Sequence, residues 1–168
     1  MNLEMKNIFV TGGSGFLGSH ILYKLAIEGY EPIAIKRKKS NLKNVQKLFS
    51  KNNQEDLFNN IKWMNCDLED FLSLEKCLQT IDVVFHCAGF VSFNKKDKNT
   101  IYETNYIGTK NLINLCLKKS VSKFCHVSSI STLSNNRSKL IDENDWFTFS
   151  GKKSHYAISK YLGEMEVW

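Results

Sequence analysis

Proline occurs once in the 168 residues, at Pro32, and no Ser/Gly-rich stretch divides the chain, so nothing marks an internal domain boundary. Long apolar runs are missing; none approaches the ~18 residues that a membrane span needs. The N-terminus, Met1 to Lys6, carries Glu4 and lacks the charged-then-apolar layout of a signal peptide. Cysteine is limited to five residues, an odd number with no C-x-x-C pair, which argues against a disulfide framework or a zinc site. The four histidines are scattered, and none forms a metal-ligand pair. A soluble, cytoplasmic protein without a metal centre or a membrane partner is expected.

What is present suits one domain over residues 1–168 with its own hydrophobic core. The net charge of +6 raises nucleic acid as a partner, with Lys36 to Lys39 the densest positive run. No aromatic-rich strand or helix-turn-helix pattern accompanies that run, so no nucleic-acid partner is expected. The Lys/Asn-rich stretch 36–60 is interrupted by Leu42, Val45, Leu48, Phe49, Leu57 and Phe58 at roughly helical spacing, which predicts a solvated helix-loop-helix.

Short apolar runs at Ile8 to Val10, Pro32 to Ile35, Ile61 to Met64, Asp82 to Cys87 and Phe124 to Ser128 read as strands. Between them, Phe16 to Ala26, Leu72 to Leu78 and Ile101 to Leu117 read as helices, the last with Ile107, Leu112, Ile113 and Leu115 inward. Tyr156 to Trp168 begins a final helix. Alternating strands and helices predict an α/β fold: a Rossmann-like, doubly wound parallel sheet covered on both faces. His86, Cys87 and Cys125 fall within the strands and are expected to be buried and structural.

After the first strand comes Thr11-Gly12-Gly13-Ser14-Gly15-Phe16-Leu17-Gly18, with glycines spaced G-x-x-G-x-x-G. Gly12 permits a tight turn, Gly15 lets backbone approach a pyrophosphate, and Gly18 lets helix and sheet pack closely. The helix N-terminus then offers unpaired N–H groups to the anion. Further along stand Asp67-Leu68, Val84-Phe85-His86-Cys87-Ala88-Gly89, Asn105-Tyr106-Ile107-Gly108-Thr109 and Tyr156-Ala157-Ile158-Ser159-Lys160. In order and spacing the set resembles the extended branch of the short-chain dehydrogenase/reductase family, along nearly the whole chain. The resemblance implies that Asp67 and Leu68 contact adenine, that Ala88 and Gly89 line the cofactor with Phe16 and Leu17, and that Asn105 helps to position the catalytic lysine.

The same resemblance assigns Tyr156 as general acid/base, Ser129 as hydrogen-bond partner of the substrate oxygen, and Ser128 as a cofactor neighbour. Lys160 would favour the phenolate and bind the nicotinamide ribose. A free phenol is a poor base at neutral pH, and an adjacent ammonium on the same helix face makes it a better one. The second strand ends in Lys36-Arg37-Lys38-Lys39 with no acid beside it, where NAD-preferring relatives place a carboxylate. A guanidinium at Arg37 can grip a 2′-phosphate bidentately, so NADP(H) is favoured over NAD(H).

Two departures matter. Ile130-Ser131-Thr132-Leu133-Ser134 stands where epimerases and dehydratases commonly carry V-Y-G, which leans toward reductases resembling dihydroflavonol reductases. The chain also ends inside the helix that carries Tyr156, so the last strands and the substrate domain of longer members are missing from it. The expectation is an NADP(H)-dependent oxidoreductase acting on a small carbonyl or alcohol, with little turnover from these residues alone. A homo-oligomer is compatible with the exposed fifth strand. The alternatives are a non-catalytic NADP(H)-binding module or truncated remnant, and a nucleotide-sugar epimerase/dehydratase.

Overall fold

A computed structural model describes residues 6–133, 140–149 and 153–168. The first five residues, on which the leader-peptide reading rests in part, and Ser134 lie outside the described residues. Five strands form one sheet: β1 (Ile8–Thr11), β2 (Ile33–Lys36), β3 (Lys62–Asn65), β4 (Val83–His86) and β5 (Lys123–His126). Every pairing is parallel and the order is β3-β2-β1-β4-β5. The chain therefore starts in the centre, builds outward to one edge, and returns to build toward the other. That reversal between β1 and β4 opens a crevice at the carboxyl ends of the strands.

Each crossover is helical. Helix α1 (Phe16–Ile27) joins β1 to β2, and α2 (Lys43–Ser50) with α3 (Glu55–Asn59) form the predicted helix-loop-helix before β3. Helix α4 (Phe71–Cys77) leads to β4, its N-terminus capped by the Asp70 carboxylate, which accepts from Ser73 N at 3.0 Å. A longer rod precedes β5: α5 (Lys98–Tyr102), a π-helical turn at Glu103–Ile107, and α6 (Gly108–Lys118). Helix α7 (His155–Met165) follows, capped by Ser154, whose hydroxyl accepts from Ala157 N. No described helix is long and apolar enough to cross a membrane.

Alternation along β1 divides the core between the two sheet faces. Phe9 joins Ile35, Val84, Leu74, Leu78, Leu112 and Leu115 on one face. Ile8 and Val10 join Ala34, Leu22, Val45 and Phe49 on the other. Burial of both faces explains why β1 reads as a continuous apolar run rather than an alternating one.

Two expectations fail. Ile107 is 39% exposed rather than inward. The buried positions of that rod are Ile101, Asn105, Gly108, Thr109, Leu112, Leu115 and Cys116, with small or polar residues in the middle where neighbours press close. A Cβ on Gly108 would lie 2.9 Å from Leu68 Cβ, and one on Gly163 of α7 would lie 2.4 Å from the Asn105 carbonyl oxygen. Cys125 is exposed, since β5 is the edge strand, and Cys87 is only half-buried just past the end of β4.

Candidate dinucleotide and catalytic site

The glycine turn is built by contact. Gly12 has φ +67°, and a Cβ there would stand 2.5 Å from Ala88 N. A Cβ on Gly18 would stand 2.2 Å from the Gly12 carbonyl oxygen, so α1 can start this close to the turn only with glycine. Gly15 N donates to that same oxygen at 2.9 Å. No side chain caps α1, which leaves its first N–H groups to other acceptors.

Beside this turn lies a cleft of about 230 Å³. Gly12, Gly15, Arg37, Asp67, Leu68, Ala88 and Gly89 all line it, which gathers seven of the residues singled out in the sequence. Phe16 and Leu17 stay outside the lining and are exposed at the start of α1, while Gly18 is packed beneath the turn. Ser40, Thr104 and Phe90 also line the cleft and were not anticipated. Ser40 arrives through a tight turn in which its N–H donates to the Arg37 carbonyl at 2.9 Å. Lys36 lines the cleft as well, its Nζ donating to Asn65 Oδ1 at 2.8 Å. Among the described residues, Arg37 has no ion-pair partner. Carboxylates do come near, from the segment after β3 and from the π-helical turn: burial, then the Asp67 and Glu103 charges, push the Glu69 carboxyl up, and the Thr104 hydrogen bond and Arg37 partly offset them.

A second group of residues gathers at the ends of β4 and β5. Tyr156 and Lys160 lie one turn apart on α7. Lys160 is buried, and its Nζ donates to the Val127 carbonyl at 2.7 Å, next to Ser128 and Ser129. Burial pushes this ammonium down to about 8, against the Glu164 carboxylate that favours its charge. Ser129 caps a short 3₁₀ turn (Ile130–Thr132) and its hydroxyl accepts from Ser131 N. No hydrogen bond among the described residues joins Ser129 to Tyr156, whose ring meets Phe93 edge-on at 6.1 Å. Ser128 donates to Glu164 Oε2 at 2.5 Å. His155 faces Tyr102, its Nδ1 3.5 Å from the phenol oxygen.

Asn105, in the π-helical turn, is buried. Its Oδ1 accepts from Phe90 N at 2.7 Å, and its Nδ2 donates to Phe90 O at 2.9 Å and to Ser159 Oγ at 3.0 Å. The side chain thus locks the segment after β4 to the helix bearing Tyr156, and no hydrogen bond among the described residues joins it to Lys160. Polar residues outside the predicted site complete the frame. Thr11, His86 and Thr109 are buried and hydrogen-bonded in series, with Thr11 Oγ1 to His86 Nδ1 at 2.6 Å and His86 Nε2 to Thr109 Oγ1 at 2.9 Å. The signal that could have found them is a buried-strand histidine flanked by hydroxyls at strand and helix ends.

This strand order, with a glycine turn between β1 and α1, defines a Rossmann-like α/β protein of the short-chain dehydrogenase/reductase type. The profile of the NAD dependent epimerase/dehydratase family matches residues 8–168, and the chain belongs to that family. It is similar to the dihydroflavonol 4-reductase of Arabidopsis thaliana, 33% identical over 175 residues that cover 98% of this chain and 45% of the reductase. Among solved structures it is similar to the UDP-glucose 4-epimerase of Thermotoga maritima with UDP-glucose, at 28% identity and TM-score 0.78, over 96% of this chain and 50% of that one. It is also similar to the UDP-glucuronic acid 4-epimerase of Bacillus cereus in complex with UDP-glucuronic acid and NAD, at 25% identity and TM-score 0.77, over 95% and 50% of the two chains. The chain spans about half the length of the relatives it matches.

Proposed function

We propose that residues 1–168 form the cofactor domain of an NADP(H)-dependent oxidoreductase that interconverts a carbonyl and an alcohol. The observation that carries the reading is the placement of Lys160, buried on α7 with its Nζ on Val127 O, so that the Tyr156 helix meets the Ser128–Ser129 strand end. The turn fits a dinucleotide: α1 is uncapped, and a side chain on Gly12 or Gly18 would collide with the backbone that forms the turn. Gly12 and Gly15 would admit the pyrophosphate, Asp67 and Leu68 the adenine, and Ala88, Gly89, Ser128 and Lys160 the nicotinamide half. The nicotinamide supplies or accepts the hydride.

Tyr156 then donates a proton to the carbonyl oxygen in reduction and removes it in oxidation, while Ser129 hydrogen-bonds that oxygen. Lys160 adds positive charge one turn away, and Asn105 holds the Tyr156 helix through Ser159. Arg37, in the cleft wall with no ion-pair partner among the described residues, supports NADP(H) over NAD(H) through a bidentate grip on the 2′-phosphate. The five free thiols accord with a cytoplasmic setting. A small molecule, rather than nucleic acid or membrane, is the partner in this reading.

In a protein that carries the substrate half as well, ketone-dependent oxidation of NADPH is expected to vanish in Tyr156→Phe while NADPH affinity is kept. Undiminished turnover in that variant contradicts the reading. Turnover absent from the parent as well, with NADPH still bound, favours a non-catalytic binding module. A nucleotide-sugar epimerase or dehydratase is the second reading, favoured by the UDP-sugars bound to the two similar structures. Tight binding of a UDP-sugar by the protein would support it.

A further inference from the structure

Glu164 lies one turn beyond Lys160 on α7, on the same helix face. Its Oε2 accepts from Ser128 Oγ at 2.5 Å, a contact that joins residues 36 apart in sequence. Lys160 makes the parallel tie, donating to Val127 O at 2.7 Å. Consecutive residues of the strand end are thus held by consecutive turns of the helix. Ser129 comes next along the chain, and Thr132 donates to its carbonyl at 2.7 Å while standing 3.5 Å from Ser128 Oγ. The distance from Ser129 to Tyr156 is therefore set across the Val127–Lys160 and Ser128–Glu164 ties.

The charges around Lys160 single out the same residue. From β4 and the residue after it come His86 and Cys87, and from β5 comes His126. Burial holds both imidazoles below their ordinary range, and it pushes the Cys87 thiol up to about 11, so all three are neutral at pH 7. Among these neighbours Glu164 is left as the negative charge. Burial works against its ionisation, but hydrogen bonds from Ser128 and Trp168 help to outweigh that and hold its carboxyl below the usual range.

We propose that Glu164 is a positioning residue of the Ser129–Tyr156–Lys160 site, clamping the serine strand end to α7 with its carboxylate one turn from Lys160. The proposal takes its site from the oxidoreductase reading, but its test needs neither cofactor nor turnover. The 168-residue chain with labelled lysine is titrated by NMR, following the Lys160 Cε and Nζ signals, alongside Glu164→Gln and Ser128→Ala. Glu164→Gln keeps an acceptor for Ser128 and removes the charge. It is expected to move the Lys160 midpoint down, on the order of a ten-fold shift in its ionisation constant. Ser128→Ala removes the clamp and keeps the charge. It is expected to leave the Lys160 midpoint in place and to lower the exchange protection of the Ser131 and Thr132 amides several-fold, since both donate to Ser129. An unmoved Lys160 midpoint in Glu164→Gln, or unchanged protection of those amides in Ser128→Ala, overturns the proposal. Failure to bind NADPH would count against the oxidoreductase reading alone.

Discussion

Thr109 donates its hydroxyl proton to the Asn105 carbonyl at 2.8 Å, so toward His86 Nε2 at 2.9 Å it can only accept. That choice propagates. His86 carries its proton on Nε2, its Nδ1 accepts from Thr11, and Thr11 accepts from Ala88 N at 3.2 Å. One neutral imidazole thereby links the end of β1, the segment that lines the cleft, and the carbonyl of the π-helical turn.

The pH dependence of stability follows. Burial, then the neighbouring His126 and Lys160 charges, hold His86 well below its ordinary 6.5. Burial and Lys160 also lower His126, to about 4. The unfolded chain binds protons at these positions below pH 6.5 and the folded chain does not, so stability falls as pH drops from 6.5 toward 4. For the fully buried His86 the slope approaches about 1.4 kcal/mol per pH unit. Denaturant midpoints measured down that window test it; a flat profile contradicts the hydrogen-bond chain.

Glycine substitutions separate strain from contact. Gly12→Ala places a Cβ against Ala88 backbone at positive φ, and is expected to cost roughly 2 kcal/mol or more and to abolish dinucleotide binding. Gly29 has φ +84° with nothing within 4 Å of its would-be Cβ. Gly29→Ala is expected to cost about 1 kcal/mol and to leave binding unchanged. Thermal melts paired with NADPH titrations of both variants decide the matter.

Phe49 is fully buried, edge-on to Tyr23 at 5.1 Å and to Phe58 at 5.8 Å. Phe49→Ala is expected to cost about 3–5 kcal/mol. Phe93 is 76% exposed, and Phe93→Ala is expected to fall within about 0.5 kcal/mol of the parent. Equal losses in denaturant unfolding would show that the α2–α3 face is not the core described.

Fold and glycine turn were legible because each rests on a local pattern. Strand runs buried on both faces, a glycine turn and intervening helices specify the parallel sheet, and seven predicted residues meet in one cleft. The helix-loop-helix was legible from the spacing of Leu42, Val45 and Phe49 amid lysines. Ile107 misled because the inward face of its rod is set by how closely Leu68 and Gly163 approach, a tertiary fact. Cys125 misled because an edge strand carries the same residues as a covered one. Glu164 was passed over, and His86 was read only as a buried structural residue, since their partners are hydroxyls at least 23 residues away.

The central claim is a dinucleotide site that reads the 2′-phosphate through Arg37, and titrating the chain with NADPH and with NADH, beside Arg37→Ala, tests it most directly. NADPH should bind more tightly than NADH, and Arg37→Ala should weaken NADPH on the order of ten- to a hundred-fold while leaving NADH nearly unchanged. Binding of neither dinucleotide contradicts the site itself, and equal affinities insensitive to Arg37 contradict its role.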